Sequence, residues 1–224
     1  MDIEFKDLII AFEKDPKEVR DYFESLGIVL SDDWEDFLKQ FEKDAFKIAG
    51  VNNANHLMDA KKLISDAIAN GTPLSDFKKQ FRQSMNLRAW HADLVVTQNI
   101  SNAYNGGRFQ QQSEDVDYFP YLQPITMNDK KSTPGCKWLD EQNICFKIKD
   151  KNLKLMYSPR HFHCRTIYVS ITEKQREREG LTVKEISTIP KKYLNAPEFR
   201  KLPNTAFEPD LSGFPKELKE KIKQ

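Results

Sequence analysis

Residues 87–127 read LRAWHADLVVTQNISNAYNGGRFQQQSEDVDYFPYLQPITM, and the character of the chain changes inside that stretch. Up to Asn105 the apolar residues recur at helical spacing, which predicts a helix from about Leu87 to Asn105, ended by Gly106-Gly107. From Val116 to Met127 the chain is aromatic and is interrupted by Pro120 and Pro124, a pattern that suits an irregular strand. The fold is therefore expected to be α+β, helices first and a small, irregular β module after them.

Upstream of Leu87 the periodicity is helical. Glu18 to Leu26 places Val19, Tyr22, Phe23 and Leu26 on one face, with Gly27 as the stop. Ser31 reads as an N-cap, with Asp32 and Asp33 in the first turn, where the helix dipole favours negative charge. Trp34, Phe37, Leu38, Phe41, Ala45 and Ile48 then predict a helix to about Ala49. Leu57, Ala60, Leu63, Ile64, Ala67 and Ile68 repeat the pattern up to Asn70-Gly71, and Thr72-Pro73 starts a further helix that turns Leu74, Phe77 and Phe81 inward.

Downstream, residues 128–166 combine Lys, Asn, Asp and Pro with all three cysteines and two of the four histidines. Thr166 to Ile171 has the β-branched and aromatic character of a closing strand. From about Ile186, Pro190, Pro197, Pro203, Pro209 and Pro215 recur in a polar setting, which predicts an extended tail that orders against a partner. The expected organisation is a helical region over 1–86, a core over 87–172 and a Pro/Lys-rich tail over 173–224.

The 224 residues carry 31% charged and 39% hydrophobic side chains, with fifteen Phe and three Trp, an ordinary globular composition. No apolar run reaches the roughly 18–20 residues that a membrane span requires, and the acidic Met1-Asp2-Ile3-Glu4 start lacks the layout of a secretion signal. An odd count of three cysteines argues against a disulfide framework and for folding in a reducing compartment. These features exclude a membrane protein, a secreted mini-protein and a fibrous chain. Net charge is only +1 but lopsided: residues 1–50 hold fourteen Asp/Glu against seven Lys/Arg, and residues 123–166 hold nine basic against four acidic. Such asymmetry suits two ends that face different partners.

The chemistry-bearing residues gather in the second half. Cys136, Cys145, His161, His163 and Cys164 offer the thiolate and imidazole ligands that zinc prefers, and a turn-rich segment of about forty residues has little apolar area of its own. Cys136, His161 and Cys164 are the expected ligands, with Cys145, His163 or Asp140 as the fourth. Asn99, Ala103 and Gly107 share one row of the long helix, Tyr104 and Arg108 the next. Small residues on such a row allow close approach of another backbone, and Asn99 and Arg108 are expected to fasten the adjoining loop. No phosphate loop, His-Glu-x-x-His or Gly-x-Ser-x-Gly occurs. Asp129, Asp140, Glu141 and the two histidines would serve a metal-dependent nuclease. The lysines of 130–165 with Tyr118, Phe119 and Tyr121 would serve a single-stranded nucleic-acid module.

The stretch Asn99-Ile-Ser-Asn-Ala103-Tyr104-Asn-Gly-Gly107-Arg108 resembles the Asn-x-x-x-Ala-Tyr-x-x-Gly-Arg signature of the phage Mu F-like head morphogenesis family, the minor head or minor capsid proteins. The later order also fits: Tyr121-Leu122, Asp129, Pro134-Gly135-Cys136-Lys137-Trp138-Leu139, then Tyr157-Ser158-Pro159 and Cys164-Arg165. The lead-in from Pro16 to Phe77 is similar as well, so the resemblance covers about residues 15–170. Two departures stand out. The family's common Leu-x-Gly is Leu139-Asp140-Glu141 here, and Thr133 and Thr166 occupy places where many relatives carry Cys-x-x-Cys and a final Cys-Arg-Cys.

The resemblance implies a non-enzymatic assembly role: a low-copy protein of the portal vertex, acting in procapsid assembly and in DNA packaging or delivery. The implied partners are the portal protein, other head or scaffold proteins and the packaged DNA, with no membrane. It implies synthesis in the cytoplasm of a bacterial host and a final place in the virion head interior or at the portal vertex, from a phage or a prophage. It gives Asn99, Ala103, Tyr104, Gly107, Arg108, Asp129, Pro134, Leu139, Pro159 and Arg165 as structural motif residues, and structural zinc as the cofactor. Members joined to toxin or ADP-ribosyltransferase modules imply the rival, an effector or nuclease.

Overall fold

The computed structural model of the chain describes residues 17–28, 45–46 and 54–203. A short helix, α1 (Lys17–Ser25), leads into strand β1 (Gly27–Ile28), which pairs in parallel with β2 (Ala45–Phe46). Ala45 and Phe46 therefore do not continue the helix expected to reach Ala49, because their backbone groups are spent on the ladder to Gly27 and Ile28. The Ser31 cap and the Trp34–Phe41 stripe lie outside the described residues.

Helices α2 (Ala54–Ala69), α3 (Leu74–Ser84) and α4 (Ala89–Glu114) follow. The turn between α2 and α3 closes as a Schellman motif: Gly71, at φ +60°, donates to Ile68 O, and Thr72 donates to Ala67 O. Asn86, at φ +49°, ends α3 in the same way, its N–H on Gln83 O and that of Leu87 on Arg82 O. Tyr22 and Phe23 from α1, with Leu26 just after it, meet Leu57, Ile64 and Ile68 from α2, Phe77 and Phe81 from α3, and Val96, Ile100 and Ala103 from α4 in one apolar core. The expected inward faces of 57–68 and 74–81 are the buried ones, with Leu63 and Leu74 partly covered.

Helix α4 does not stop at Gly106-Gly107. It runs 26 residues, about 39 Å at 1.5 Å per residue. Gly106 marks a close approach and not an end: a Cβ there would lie 2.1 Å from the Tyr22 ring of α1. The first half of α4 packs in the helical core. Its second half brings Phe109 against a second core made of Leu122, Leu139, Phe146, Leu153, Tyr157, Tyr168, Ile186 and Ile189.

That second core lies on a four-stranded sheet of β3 (Tyr121–Ile125), β4 (Ile144–Lys147), β5 (Ile167–Ile171) and β6 (Thr182–Val183), in the order β5-β3-β4-β6. Strand β3 is antiparallel to both neighbours, with Leu122 opposite Phe146 and Ser170, and β4 is parallel to β6. Pro124 lies past the two residues of β3 that β4 engages, so its missing N–H takes no bond from that ladder. Helix α5 (Pro134–Glu141) crosses between β3 and β4, and α6 (Glu173–Arg178) follows β5 behind a Thr172/Gln175 capping box.

The described part of the expected tail is not extended. Residues 173–203 supply α6, β6 and short 3-10 turns at Ile186–Thr188, Lys191–Tyr193 and Pro197–Phe199, and they bury Leu181, Ile186, Ile189 and Phe199. The prolines set turns that lay these side chains on the module; Pro209 and Pro215 lie outside the described residues. Among the described residues no helix is long and apolar enough to cross a membrane.

Candidate metal centre

Helix α5 sets one wall of the centre. Thr133 is its N-cap, and its hydroxyl accepts from Cys136 N at 3.4 Å, while Pro134 takes the first helical position, where no N–H is needed. The opposite wall is the loop from Ser158 to Thr166, which begins with a cis Ser158–Pro159 bond and closes a turn through Cys164 N on His161 O at 3.2 Å. Together they bring Cys136 Sγ, Cys164 Sγ and a His161 ring nitrogen within 4.8 Å of one another. Cys136 Sγ lies 3.2 Å from His161 Nε2.

The protonation states follow from the partners. His161 Nδ1 lies 2.7 Å from Phe162 O, a group that only accepts, so Nδ1 carries a proton and Nε2 faces Cys136. Hydrogen bonds from Cys164, then from His161, Thr133 and Thr166, pull the Cys136 thiol far below its ordinary value against the opposing effect of burial. Burial pushes Cys164 the other way, reinforced by the charge on Cys136. Burial opposes charge on His161, but its bonds to Cys136 and to the Phe162 carbonyl outweigh that and raise its proton affinity. Arg160, only 3% exposed, adds a buried cation: Nη1 lies 3.9 Å from Cys136 Sγ and also donates to Gly135 O at 2.9 Å.

This donor set fits a zinc ion. Two cysteines and an imidazole are ligands of the kind that zinc prefers, and a tetrahedron built on its usual bond lengths has S···N edges of about 3.5 Å, close to the observed approach. The bond from His161 Nδ1–H to a carbonyl is the outer-shell contact that metal-bound histidines ordinarily make. Cys136, Cys164 and His161 would hold the ion, which would tie α5 to the loop after Pro159.

The other three expected ligands stand elsewhere. Cys145 is fully buried on β4 against Ile171 and Leu181, and burial pushes its thiol up to about 11. His163, at φ +56°, points to Asp93 of α4, with 3.9 Å between Nδ1 and Oδ2. Asp140 Oδ2 accepts from Asn128 Nδ2 at 2.9 Å. Among the described residues no carboxylate joins the group.

Of the motif residues, Arg108 bonds across the two halves, while others are spent within one half. Arg108 donates to Tyr168 O at 3.3 Å and to Tyr104 Oη at 3.2 Å, so it fastens α4 to β5 as expected of a helix-borne arginine. Asn99 does not reach the loop; its Nδ2 donates to Val95 O inside α4, since both groups are buried there. Ala103 and Gly107 are buried on α4, and Leu139 is buried in the second core. Pro159 lines a small cavity together with Tyr22, Asn102 and Phe199. Arg165 grips Asp129 through two bonds of 2.6 Å.

Several supporting residues carry no sequence signal of their own. Asn195, 1% exposed, accepts from Arg160 Nε at 3.0 Å and donates to Tyr157 O at 2.7 Å. Gln112 donates to Tyr168 O at 2.8 Å and accepts from Tyr157 Oη at 2.9 Å. Gln112 sits one helical turn beyond Arg108 on the predicted spacing, a hint available only had the helix been extended past Gly107.

Residues 59–169 match the family described as Phage Mu protein F like protein. The chain is 21% identical over 199 residues to a candidate capsid assembly protein F of Escherichia phage Mu, covering 79% of this chain and 45% of that protein. It is 23% identical over 168 residues to the Mu-like prophage FluMu F protein of Haemophilus influenzae, covering 67% of this chain and 40% of that protein. The chain thus spans less than half the length of these curated relatives. No solved structure matches it.

Proposed function

Residues 59–169 place the chain in the Phage Mu protein F like family, and from that membership we propose that it is a minor head protein acting in phage head morphogenesis. The family match carries the reading, because it spans α2 through β5, the segment in which α4 joins the two cores. The capsid assembly name of the phage Mu relative points the same way. The use of Arg108 in a structural bond, and of Asp129 and Arg165 on each other, supports a scaffold in preference to a catalyst.

In this reading the protein is made in the bacterial cytoplasm and present in few copies in the head interior or at the portal vertex. It contacts the portal protein and other head or scaffold proteins, and acts during DNA packaging or delivery. The Cys136–His161–Cys164 centre has a structural part, with zinc its occupant and the β module its beneficiary. Quantitative mass spectrometry of purified procapsids and virions tests this. A few copies per head, in fixed ratio to the portal protein, is the expected result; absence from both particles overturns it.

A further inference from the structure

The three ligands leave one corner of a tetrahedral site to be filled, and the geometry points to Thr133. We propose that the centre is a two-thiolate, one-imidazole site for a thiophilic divalent cation whose fourth donor is an oxygen at Thr133, the hydroxyl itself or a water that it holds. This rests on the metal reading above and fills the corner that Cys145 and His163 do not reach.

Thr133 Oγ1 lies 3.1 Å from His161 Nε2, while Cys136 Sγ lies 3.2 Å from the same nitrogen. An imidazole nitrogen has a single in-plane site, so it cannot bond both partners well. Both gather instead around the point off Nε2 at which a shared cation would sit. The position of Thr133 is fixed by its role as the α5 cap, with Pro134 locked behind it. Thr166, 1% exposed, has a different place: its hydroxyl donates to Cys136 Sγ at 3.3 Å and lies 3.1 Å from Thr126 Oγ1, an outer contact on a ligand sulfur.

The rivals for the corner are held away by the fold. Cys145 would have to leave the apolar contact with Ile171 and Leu181, and His163 would have to reverse a left-handed backbone and leave the Asp93 side of the loop. Charge also bears on the corner. Two thiolates neutralise a divalent ion, and the guanidinium of Arg160 beside Cys136 remains buried with no carboxylate among the described residues bonded to it. A third thiolate at position 133 would therefore be welcomed electrostatically.

The test uses the full chain and cobalt(II), which takes zinc's place and reports its ligands by visible absorption, with zinc competition against a chromophoric chelator. Wild type is expected to bind one equivalent with the spectrum of a tetrahedral, two-thiolate centre, and C136S to lose it. T133C should bind about tenfold tighter or more and gain thiolate-to-cobalt intensity, as a closed site does. C145S and H163N should match wild type, and T166V should bind about 10–100-fold more weakly. Loss of binding in C145S or H163N, or a T133C variant with unchanged affinity and spectrum, overturns the assignment of Thr133 while leaving the metal reading in place. A folded wild-type chain, by circular dichroism, that binds neither metal overturns both.

Discussion

Asp129 and Arg165 stand 36 residues apart and meet in a fork of two 2.6 Å bonds, joined by the Lys131 N–H at 2.8 Å. The bonds from Arg165 first, then the Lys131 amide, the charge of the Arg165 guanidinium and Ser132, hold the Asp129 carboxyl well below the usual carboxylate range against the opposing effect of desolvation. A lowered folded value means that the stabilisation is fully present above the ordinary carboxylate pKa of about 4 and is lost as pH falls below it toward the folded value. D129N should therefore melt below wild type at pH 7, and the gap should narrow as the pH is taken from 5 to 2. Thermal melts across that range check it, and parallel curves would refute the pairing. This pair was legible as two motif residues but not as a pair, because nothing in a linear sequence shows that the turn after β3 and the start of β5 converge. Cys136, His161 and Cys164 were legible by residue type alone, since few other side chains suit a soft cation. The corner proposed for Thr133 has no such signal: a threonine that caps a helix reads as a cap, and Cys145 reads as a ligand until β4 is seen to bury it among aliphatic groups.

At the scale of elements, the long helix is the instructive case. Glycine after an amphipathic run is the usual sign of a helix end, and it holds at Gly71 and, after α6, at Gly180, both with positive φ and Schellman bonds. Gly106 carries the same letter for another reason: its missing side chain lets the Tyr22 ring of α1 lie against α4. Local sequence cannot separate these uses, since the difference lies in a residue 84 positions away. G106A puts a methyl 2.1 Å from the ring and should cost about 1–3 kcal/mol by overpacking, despite alanine's better helix propensity. The cost should shrink when Tyr22 is also replaced by alanine, because the two sites share one contact. Chemical denaturation of the four proteins in this cycle gives the coupling; additive effects would mean that α1 is not seated there. Residues 45–46 show the converse failure, where a helical stripe was read through a segment that a neighbouring strand claims.

The described residues build their two largest cores along one spine, α4, and residues 173–203 close the second. The sequence reads as an extended tail that orders against a partner, because prolines in a polar setting hide how few apolar residues suffice to dock a strap. Ile186, Ile189 and Phe199 are each buried, and Asn195 holds the Tyr157 carbonyl, the Phe199 carbonyl and Arg160. Arg160 in turn donates to Tyr193 O and reaches Cys136, so the strap also braces the candidate metal centre. Burying each of those three side chains contributes about 1.5–3 kcal/mol, a sum comparable with the whole margin of about 5–15 kcal/mol that a domain has. A chain ended after residue 172 should therefore lose the cooperative unfolding of the β module, bind a hydrophobic dye and bind cobalt(II) less tightly than the full chain. N195A in the full chain should do the same in milder form, lowering stability by about 2–4 kcal/mol as Arg160 and the carbonyls of Lys154, Tyr157 and Phe199 lose a shared partner. If the shortened chain melts as the full one does and keeps its metal affinity, the strap is an ornament on a module that stands alone. Should both changes weaken stability and metal binding together, the module, its centre and the strap fold as one unit, and any head protein that grips the strap would feel the state of the centre.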